Sequence, residues 1–448
     1  MPIPAVVVRS ARQLWRCQWL QLMQGLGPAD RDGHYRRPQP AVAEPPPPPA
    51  RANPGDHVLI VGRSCPWAHR AWLTWTLRGL APAIELLVVE PDPEAGRWRF
   101  ASPFEGCDTL AHLYRLGGCD PRARATVPLL WSRTQKRVLV SESARLIELL
   151  DRWPAPAEAS ASPWAVVTPE GSTSASPSPS AVAAVASPKA VESLEGLASP
   201  SLEGSASATA LASTEATPWV ASSPATSEPA AARTGEALGT PAASHPSPPD
   251  PAPENPALLD PAAVDQPPLD RAVLPPGALS PPERREAIQA WRERLQGSVN
   301  DGVYRCGLAR SQAAYDAAEA DLFATLQDLE EALGRQRAAG SAWLCGGPDP
   351  SLADICLFAT LIRWEMVYAP LFGCGRQPLW LLPELWRWRA RFYELPGVAA
   401  TCLPEAWRRD YFGALFPLHP SGIIPAGPDL ATLVLSSPPQ RADDQQQP

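Results

Sequence analysis

The feature that most constrains the fold is a long central stretch, residues 155–280, that cannot contribute to a hydrophobic core. It consists almost entirely of Ala, Ser, Pro, Thr and Glu, with no hydrophobic period and few aromatic residues. Such a segment cannot bury enough apolar surface to offset the entropy lost on ordering. We therefore predict a disordered insert. We interpret it as a spacer, with a partner-binding segment as the alternative.

The insert separates two parts of the chain with different patterns. Residues 55–154 follow the order β-α-β-loop-β-β-α, which begins as a βαβ unit with a parallel strand pair. Residues 281–428 show helical periods and no strand pattern. We predict an α/β domain followed by an all-α domain, with an N-terminal extension and proline-rich connector at 1–54 and a flexible tail at 429–448.

The individual elements follow from hydrophobic period and from glycine and proline punctuation. In the first domain we predict strands at 57–61, 84–89, 127–131 and 137–140, helices at 66–80 and 142–153, and a long loop at 91–124. In the second domain we predict helices at 283–296, 315–336, 351–368 and 385–394. The pattern Ser351-Leu352-Ala353-Asp354 before an apolar run predicts a capping box, so we assign Asp354 to structure.

Charge and cysteine content narrow the function classes. The formal net charge is −8, and the acidic excess falls in the insert, which argues against a nucleic-acid-binding footprint. The nine cysteines include no CxxC pair and no Cys/His cluster with ligand spacing, so we expect a reducing cytoplasm and no metal. The N-terminus lacks the apolar core of a signal peptide. No stretch approaches the ~18 uninterrupted apolar residues of a membrane span, so we expect no membrane partner.

Cys65 is the candidate nucleophile. It lies where a predicted strand ends and a helix begins, and Pro66 occupies the favoured first helical position. A thiolate there would face free backbone N–H groups and the positive end of the helix dipole, so we expect a lowered pKa. His69 and Arg70 would add positive charge. Because Ala68 stands where a resolving cysteine would, an external thiol must complete any thiol–disulfide cycle.

Two further fragments favour a ligand with an extended backbone and a carboxylate. The Val127-Pro128 bond at a strand start is a candidate cis peptide, which would turn the backbone of Val127 toward a peptide-like ligand. Glu142 and Ser143 open the following helix, and a helix start is suited to a carboxylate. Ser143 acting only as a helix cap is the alternative.

These fragments resemble the thioredoxin-like domain of glutathione transferases, and further motifs are similar to the glutathionyl-hydroquinone reductases, the Xi class, which is related to the omega class. In the first domain the motifs are Ser64-Cys65-Pro66-Trp67-Ala68-His69-Arg70, Gly96-Arg97-Trp98-Arg99-Phe100, Thr126-Val127-Pro128-Leu129-Leu130-Trp131 and Ser141-Glu142-Ser143. In the second they are Asn300-Asp301-Gly302-Val303-Tyr304-Arg305-Cys306-Gly307, Ala353-Asp354-Ile355, Leu361-Ile362-Arg363-Trp364, Val367-Tyr368, Leu395-Pro396-Gly397-Val398, Tyr411-Phe412 and Gly422-Ile423-Ile424-Pro425-Ala426-Gly427-Pro428.

The resemblance implies a fold, a reaction and a set of site residues. Cys65 would attack the sulfur of a glutathionyl-hydroquinone, and a second glutathione would release the resulting mixed disulfide as oxidised glutathione. Glutathione is then a co-substrate and the aromatic conjugate the substrate. The resemblance also implies a homodimer. The implied glutathione-binding residues are Trp98, Val127, Glu142 and Ser143, and the implied substrate-binding residues are Tyr304, Tyr368, Tyr411 and Arg363.

The family pattern and the residues leave alternatives open. The chain departs from the pattern at Glu365, where an aspartate is usual, and at Ser141, where an asparagine is usual. Arg363 could instead pair with Glu365 or Asp354 inside the helical domain. An omega-like thiol transferase or dehydroascorbate reductase would use the same cysteine. A noncatalytic glutathione-binding scaffold would bind glutathione without turnover.

Overall fold

The computed structural model describes residues 3–51, 53–92, 97–154, 273–415 and 418–435. The part of the predicted insert at 155–272 and the tail from 436 lie outside the described residues. The predicted fold class is confirmed: an α/β domain with a thioredoxin-like sheet is followed by an all-α domain.

The first domain is built on one mixed six-stranded sheet. Strands β1 and β2 are parallel, with His57 opposite Ile84, and all other neighbours are antiparallel in the order β4-β3-β2-β1-β5-β6. Every residue of β1 is buried, as expected for a central strand covered on both faces. The strands are β1 His57–Gly62, β2 Ile84–Asp92, β3 Arg97–Phe104, β4 Cys107–Thr109, β5 Leu129–Ser132 and β6 Arg137–Val140. The helices are α2 Pro66–Leu77, α3 Leu110–Leu116 and α4 Ser143–Asp151.

The predicted loop at 91–124 is wrong, because it contains β3, β4 and α3. The sequence Arg97-Trp98-Arg99-Phe100 alternates polar and aromatic residues, which is the signal of a partly exposed strand. Because proline and glycine residues nearby favour a loop, the sequence did not predict strand β3. The Thr109 hydroxyl accepts the His112 amide at 3.3 Å and begins α3 as its N-cap.

The second domain consists of helices around one apolar core. From residue 273 on, the described residues form helices and no strand. The predicted helices are present, and the sequence missed several short ones. They are α5 Arg285–Leu295, α6 Gly302–Gly307, α7 Gln312–Ala338, α8 Leu352–Leu361, α9 Ala369–Phe372, α10 Pro383–Tyr393, α11 Pro404–Ala414 and α12 Leu430–Leu433, with π-helical turns at Gln296–Asn300 and Trp364–Tyr368 and 3₁₀ turns at Pro282–Arg284, Leu379–Leu381 and Ala399–Thr401.

The N-terminal extension is more ordered than predicted. Helix α1, Ala5–Leu26, precedes a segment at 30–42 that we call the N-terminal strap. One end of the strap is bound to the helical domain, where the Arg310 amide donates to the Gly33 carbonyl at 3.0 Å. The other end is bound to the α/β domain, where the Ser141 amide donates to the Val42 carbonyl at 2.8 Å. The strap therefore crosses from one domain to the other.

Two predicted boundaries also need correction. The insert was predicted to end at 280, but Leu274 and Leu279 are buried in the core. The flexible tail was predicted from 429, but Leu430 and Leu433 pack as part of α12. In both segments a few leucines stand near alanine, serine or proline residues. Composition alone therefore does not show that these leucines are buried in the core.

The segment Leu352–Phe372 is long and apolar enough to cross a membrane by length and composition. Within the fold, 78% of its most apolar window is buried. A core helix of a globular domain passes the same test, so this segment is weak evidence for a span.

The two domains share a buried polar contact between α2 and the helical domain. The Arg363 guanidinium donates to His69 Nδ1 at 2.9 Å, and His69 Nε2 lies 2.7 Å from Thr401 Oγ1. Thr401 Oγ1 in turn donates to the Val398 carbonyl at 2.7 Å. With Nδ1 accepting, the ring is neutral and its Nε2–H bonds the threonine oxygen. Burial, followed by the positive charge of Arg363, lowers the pKa of His69 well below its usual value of 6.5.

Arg78 joins three chain segments and gives the first prediction. Its buried guanidinium donates to the carbonyls of Leu150, Trp153 and Leu274 at 2.9, 3.0 and 2.9 Å, and also to that of Asp151. Arg78→Met would leave the carbonyls of Trp153 and Leu274 without a donor, at about 1–3 kcal/mol each, whereas those of Leu150 and Asp151 keep backbone donors. We expect the free energy of unfolding in urea to fall by roughly 3 kcal/mol or more. Arg335→Met, at an exposed helical ion pair, is the control and should cost under ~0.5 kcal/mol. An equal loss in both variants would contradict this role.

The neutral His69 gives a second prediction, on pH. The unfolded chain protonates His69 below about pH 6.5, whereas the folded chain does not, so stability must fall as pH falls from 7 to 5. One such group contributes up to ~1.4 kcal/mol per pH unit. His69→Gln, whose amide can accept from Arg363 and donate to Thr401, should flatten the slope of unfolding free energy against pH. His112→Gln, at an exposed position, should leave it unchanged. If His69→Gln left the slope of unfolding free energy against pH unchanged, a neutral His69 ring in the folded protein would be excluded.

Candidate functional site

A cleft of about 250 Å³ lies beside the N-terminus of α2. Residues of the α/β domain, the N-terminal strap and the helical domain all line it. Among the predicted site residues, the cleft lining includes Cys65, Trp98, Val127, Glu142, Ser143, Tyr304 and Tyr411. The fold thus brings together side chains that are up to 346 positions apart in the sequence, from Cys65 to Tyr411.

Cys65 is the residue before the first turn of α2, with Pro66 as the first helical residue, as predicted. Its Sγ lies 3.7 Å from the Val127 carbonyl oxygen, to which it donates. The expected lowering of its pKa is wrong for the free protein. Burial raises the pKa of the Cys65 thiol above 9.0, while the backbone N–H groups of Ala68 and Trp67 act in the opposite direction.

The positive charges near Cys65 differ from those that the sequence suggested. His69 is neutral, and Arg70 points toward the helical domain, where its guanidinium donates to Gln296 Oε1 at 3.2 Å. Arg37 and Arg363 instead supply the charges that favour the thiolate of Cys65. Arg37 comes from the strap, and its guanidinium carbon lies 3.4 Å from the centre of the Trp67 ring.

Val127 and Trp98 form one wall of the cleft. The Val127-Pro128 bond is cis. Within the described residues, the Val127 amide has no hydrogen-bond partner, so it is available to a ligand. A Cβ at Gly62 would lie 2.7 Å from Trp98 Cη2 and 2.8 Å from Val127 Cγ2. Glycine at 62 therefore allows both side chains to approach the end of β1.

Glu142 and Ser143 lie at the start of α4. The helix cap is Glu142, whose carboxylate accepts the Ala144 amide at 3.1 Å. The alternative that Ser143 is the cap is therefore wrong. The Ser143 hydroxyl is 3.5 Å from the Glu142 carboxylate and lines the cleft. This start of a helix still presents a hydroxyl and N–H groups to an anion.

Two tyrosine hydroxyls meet across the cleft. Tyr304 Oη lies 2.6 Å from Tyr411 Oη, and Tyr368 Oη is 3.4 Å from Tyr411 Oη. Burial raises the pKa of Tyr304 and Tyr411 well above 10, so both phenols are protonated and can donate hydrogen bonds. Tyr368 is fully buried and is absent from the cleft lining, so it supports Tyr411 from behind.

Arg363 is not at the cleft surface. Its side chain is buried against the Trp407 ring, with its guanidinium carbon 4.0 Å from the ring centre, and it donates to His69 and to the Ala359 carbonyl. Arg363 does not line the cleft, and its contact with an aromatic substrate stays a prediction. The suggested pairing with Glu365 or Asp354 is wrong. Glu365 pairs with Arg389 at 2.7 Å, whereas Asp354 completes the predicted capping box with Ser351.

Both domains of the chain are similar to domains of known proteins. The family model for the glutathione S-transferase N-terminal domain matches residues 64–153, and the model for the C-terminal domain matches residues 312–391. Glutathionyl-hydroquinone reductase PcpF of Sphingobium chlorophenolicum is 24% identical over 385 residues, which cover 84% of this chain and 84% of PcpF. Glutathionyl-hydroquinone reductase YqjG of Escherichia coli strain K12 is 26% identical over 378 residues, or 83% of this chain and 78% of YqjG. The chain therefore has an N-terminal and a C-terminal domain that match those of glutathione S-transferases.

Solved structures agree with the fold of this protein. The crystal structure of the glutathione S-transferase Xi from Phanerochaete chrysosporium matches with a TM-score of 0.59 and 22% identity, covering 91% of this chain and 96% of that one. The glutathione-bound structure of the E. coli YqjG matches with a TM-score of 0.53 and 23% identity, covering 87% and 88%. At these identities the structural matches show the fold.

Sequence reasoning missed several residues that line the cleft. Five come from the strap, which was predicted to be a plain connector: Tyr35, Arg37, Pro38, Gln39 and Pro40. Arg124 was placed in a loop without a role, and Asp410, whose carboxylate pairs with Arg63 at 2.9 Å, was not considered. The Tyr35-Arg36-Arg37 sequence beside a proline-rich run carries no local signal for a cleft. Among the described residues, no group of His, Cys, Asp or Glu could hold a metal ion.

The raised pKa of Cys65 gives a prediction for the protein without ligand. In a Cys17→Ser background, which removes the exposed thiol, alkylation of Cys65 by iodoacetamide should rise with pH around a midpoint above 9. Peptide mass mapping of Cys65 between pH 6 and 11 measures the profile. The added variant Arg37→Gln should move the midpoint further up, because the charge of Arg37 favours the thiolate. A midpoint near 6 would mean that the helix N-terminus outweighs burial.

Proposed function

We propose that this protein is a glutathione-dependent reductase that removes glutathione from glutathionyl-hydroquinones. The observation that carries the proposal is that Cys65 and the hydroxyl pair of Tyr304 and Tyr411 line the same cleft. The two curated relatives that cover most of the chain carry the name glutathionyl-hydroquinone reductase, which supports the same assignment.

Glutathione would occupy the wall formed by Trp98, Val127, Glu142 and Ser143. The unpaired Val127 amide can donate to a backbone carbonyl of the tripeptide. The start of α4 at Ser143 can bind a carboxylate through a hydroxyl and backbone N–H groups. Support for glutathione as co-substrate comes from the related YqjG, whose structure is described as glutathione-bound.

The first half of the reaction would transfer glutathione to the enzyme. The Cys65 thiolate attacks the sulfur of the conjugate, an S–S bond to Cys65 forms, and the bond between that sulfur and the ring carbon breaks. The ring carbon takes the electron pair and a proton, which yields the free hydroquinone. The protonated phenols of Tyr304 and Tyr411 can donate hydrogen bonds to the ring oxygens and stabilise charge that develops there.

The second half would restore the thiol. A second glutathione, as thiolate, attacks the glutathione sulfur of the mixed disulfide, and Cys65 leaves as a thiolate while oxidised glutathione is released. Ala68 follows Cys65 at the place where dithiol enzymes carry their second cysteine, so an internal cysteine cannot perform this step from within the motif. The monothiol sequence fits this two-glutathione cycle.

The decisive experiment combines hydroquinone release with intact mass. With a glutathionyl-hydroquinone and glutathione, the wild type should release hydroquinone, and Cys65→Ser should lower the rate at least ~1000-fold because the nucleophile is lost. With glutathione limiting, the wild type should gain the mass of one glutathione on Cys65. Cys17→Ser, at an exposed thiol outside the cleft, is the matched control and should retain full activity.

Tyr411→Phe tests the substrate half of the cleft. It should lower hydroquinone release roughly tenfold, because one hydrogen-bond donor of the hydroxyl pair is lost. Reduction of a small glutathione mixed disulfide, which has no ring oxygen, should change little. If the wild type is inert on the hydroquinone but reduces that disulfide, an omega-like thiol transferase is the correct class. Glutathione binding with neither activity would indicate a noncatalytic scaffold.

We also propose a homodimer in the cytoplasm. The homodimer rests on the family resemblance, and sedimentation equilibrium would measure it directly. The cytoplasmic location rests on cysteine usage, since all nine cysteines are free thiols. Fractionation of cells that express the full chain would test the location.

A further inference from the structure

Helix α1 presents apolar side chains that the described part of the chain does not cover. The helix has 22 residues, and every residue from 5 to 18 is exposed. The side chains of Val7, Leu14 and Leu22 are 52%, 67% and 43% exposed. Their spacing of about two helical turns places them on one side of α1. Exposed apolar side chains that share one face indicate a surface that binds a partner.

Positive charge lies on the other side of α1. Arg9, Arg12 and Arg16 follow one another at intervals of three and four residues, so they form one row. At 3.6 residues per turn, this row lies roughly opposite Val7 and Leu14. The sequence contains no acidic residue before the end of α1, so no carboxylate within the helix offsets the three charges. The helix is therefore amphipathic, with a basic polar face.

The C-terminal end of α1 is attached to the helical domain. Met23 is buried, and the Arg310 guanidinium donates to the Met23 carbonyl at 2.8 Å and to the Gly27 carbonyl. The N-terminal strap, which lines the cleft, follows a few residues later. A surface that binds α1 would therefore hold the folded domains through these contacts.

We propose that α1 lies in the surface of a membrane that carries anionic lipids, with its apolar face among the acyl chains and its arginines at the headgroups. Helices that bind in this way have an apolar face, a basic polar face and too little overall hydrophobicity to cross the bilayer. Helix α1 has both faces, and it is not long and apolar enough to span. The expectation of no membrane partner concerned spanning segments, which a helix in the bilayer surface does not need. The inference is independent of the substrate proposed above.

Charge and composition favour a lipid surface over two other occupants. A second copy of α1 would bring three more arginines and no carboxylate, so the basic face would gain no partner. The acidic insert of this chain could pair with the arginines. Its composition of Ala, Ser, Pro, Thr and Glu, without a hydrophobic period, offers nothing to cover Val7 and Leu14. An anionic bilayer satisfies both faces of α1 at once.

The test measures binding of the full chain to vesicles by co-sedimentation. One vesicle contains phosphatidylcholine with about 30% phosphatidylserine, and the other contains phosphatidylcholine alone. The charge variant combines Arg9→Gln, Arg12→Gln and Arg16→Gln. The apolar variant combines Val7→Gln and Leu14→Gln and leaves the charge unchanged. Because glutamine is a good helix former, both variants should retain α1.

A matched control removes the same charge elsewhere. It combines Arg115→Gln, Arg122→Gln and Arg137→Gln, three exposed arginines of the α/β domain that do not line the cleft. All three variants change exposed side chains only, so each should keep the urea midpoint of the wild type. A difference in vesicle binding then reports on α1 and not on the overall charge or the fold.

We expect the wild type to bind the anionic vesicles much more tightly than the neutral ones. The charge variant should bind them roughly 100-fold more weakly, because each basic residue near an anionic surface contributes about fivefold. The apolar variant should lose at least ~10-fold, because two side chains no longer transfer from water to the acyl region. The control should match the wild type, and about 0.5 M NaCl should weaken wild-type binding.

Three outcomes would overturn the inference. One is a wild type that does not bind the anionic vesicles. Another is full binding by the apolar variant, because binding would then reflect charge attraction without a helix in the bilayer. The third is a control as weak as the charge variant. If the apolar variant lowers the oligomeric state in sedimentation equilibrium and keeps its vesicle binding, α1 is an interface between copies of this chain instead.

Discussion

The hydrogen bond from the Arg363 guanidinium to His69 Nδ1 is the contact on which the arrangement of the site depends. His69 lies in the first turn of α2, four residues after Cys65, and Arg363 follows α8 of the helical domain. The bond therefore fixes the helix that begins at the nucleophile against the domain that carries the tyrosines. Its geometry requires a neutral imidazole, and burial, followed by the nearby positive charge, lowers the pKa of His69 and favours that state. Removing either partner would leave a buried polar group unsatisfied, which costs more than the bond itself contributes.

This contact also determines the electrostatics of the cleft. Arg363 is 1% exposed, and among the described residues no carboxylate pairs with it. It is stabilised by neutral partners, namely the Trp407 ring, an imidazole and a carbonyl, so its charge is not cancelled locally. Its field lowers the pKa of Cys65, Tyr368 and Tyr411, against the larger effect of burial in the opposite direction. The residue that the sequence suggested as a substrate contact thus acts at a distance, through its charge.

Local signals in the sequence were sufficient for the fold class and for the residues adjacent to the sheet. Cys65-Pro66 at a strand–helix junction and Ser351 with Asp354 at a helix start are patterns of neighbouring residues, and the structure retains both. Strand β3 was missed because it is mostly exposed and contains Pro103, unlike the continuous buried run of β1. The contribution of the strap was not predictable, because its residues are held at the cleft by contacts with residues far away in the sequence, such as Arg310, Ser141 and Asp301. The pKa of Cys65 was misjudged because the helix start is visible in sequence, whereas burial depends on the helical domain and the strap closing over it.

Contacts at the two ends of the insertion explain how a folded enzyme tolerates more than a hundred additional residues between its domains. The chain leaves the first domain after Trp153 and returns before Leu274, and the single guanidinium of Arg78 binds the carbonyls of both. The two ends of the insertion are therefore held at one point, beside the first turn after α2. Loop-closure entropy grows only with the logarithm of length, so a longer insertion costs little more than a short one once its ends are fixed. The burial of Leu274 and Leu279 continues the core immediately after that point. Under this arrangement the composition and length of the insertion can vary without changing the contact between α2 and the helical domain, and hence without moving Cys65 relative to Tyr304 and Tyr411.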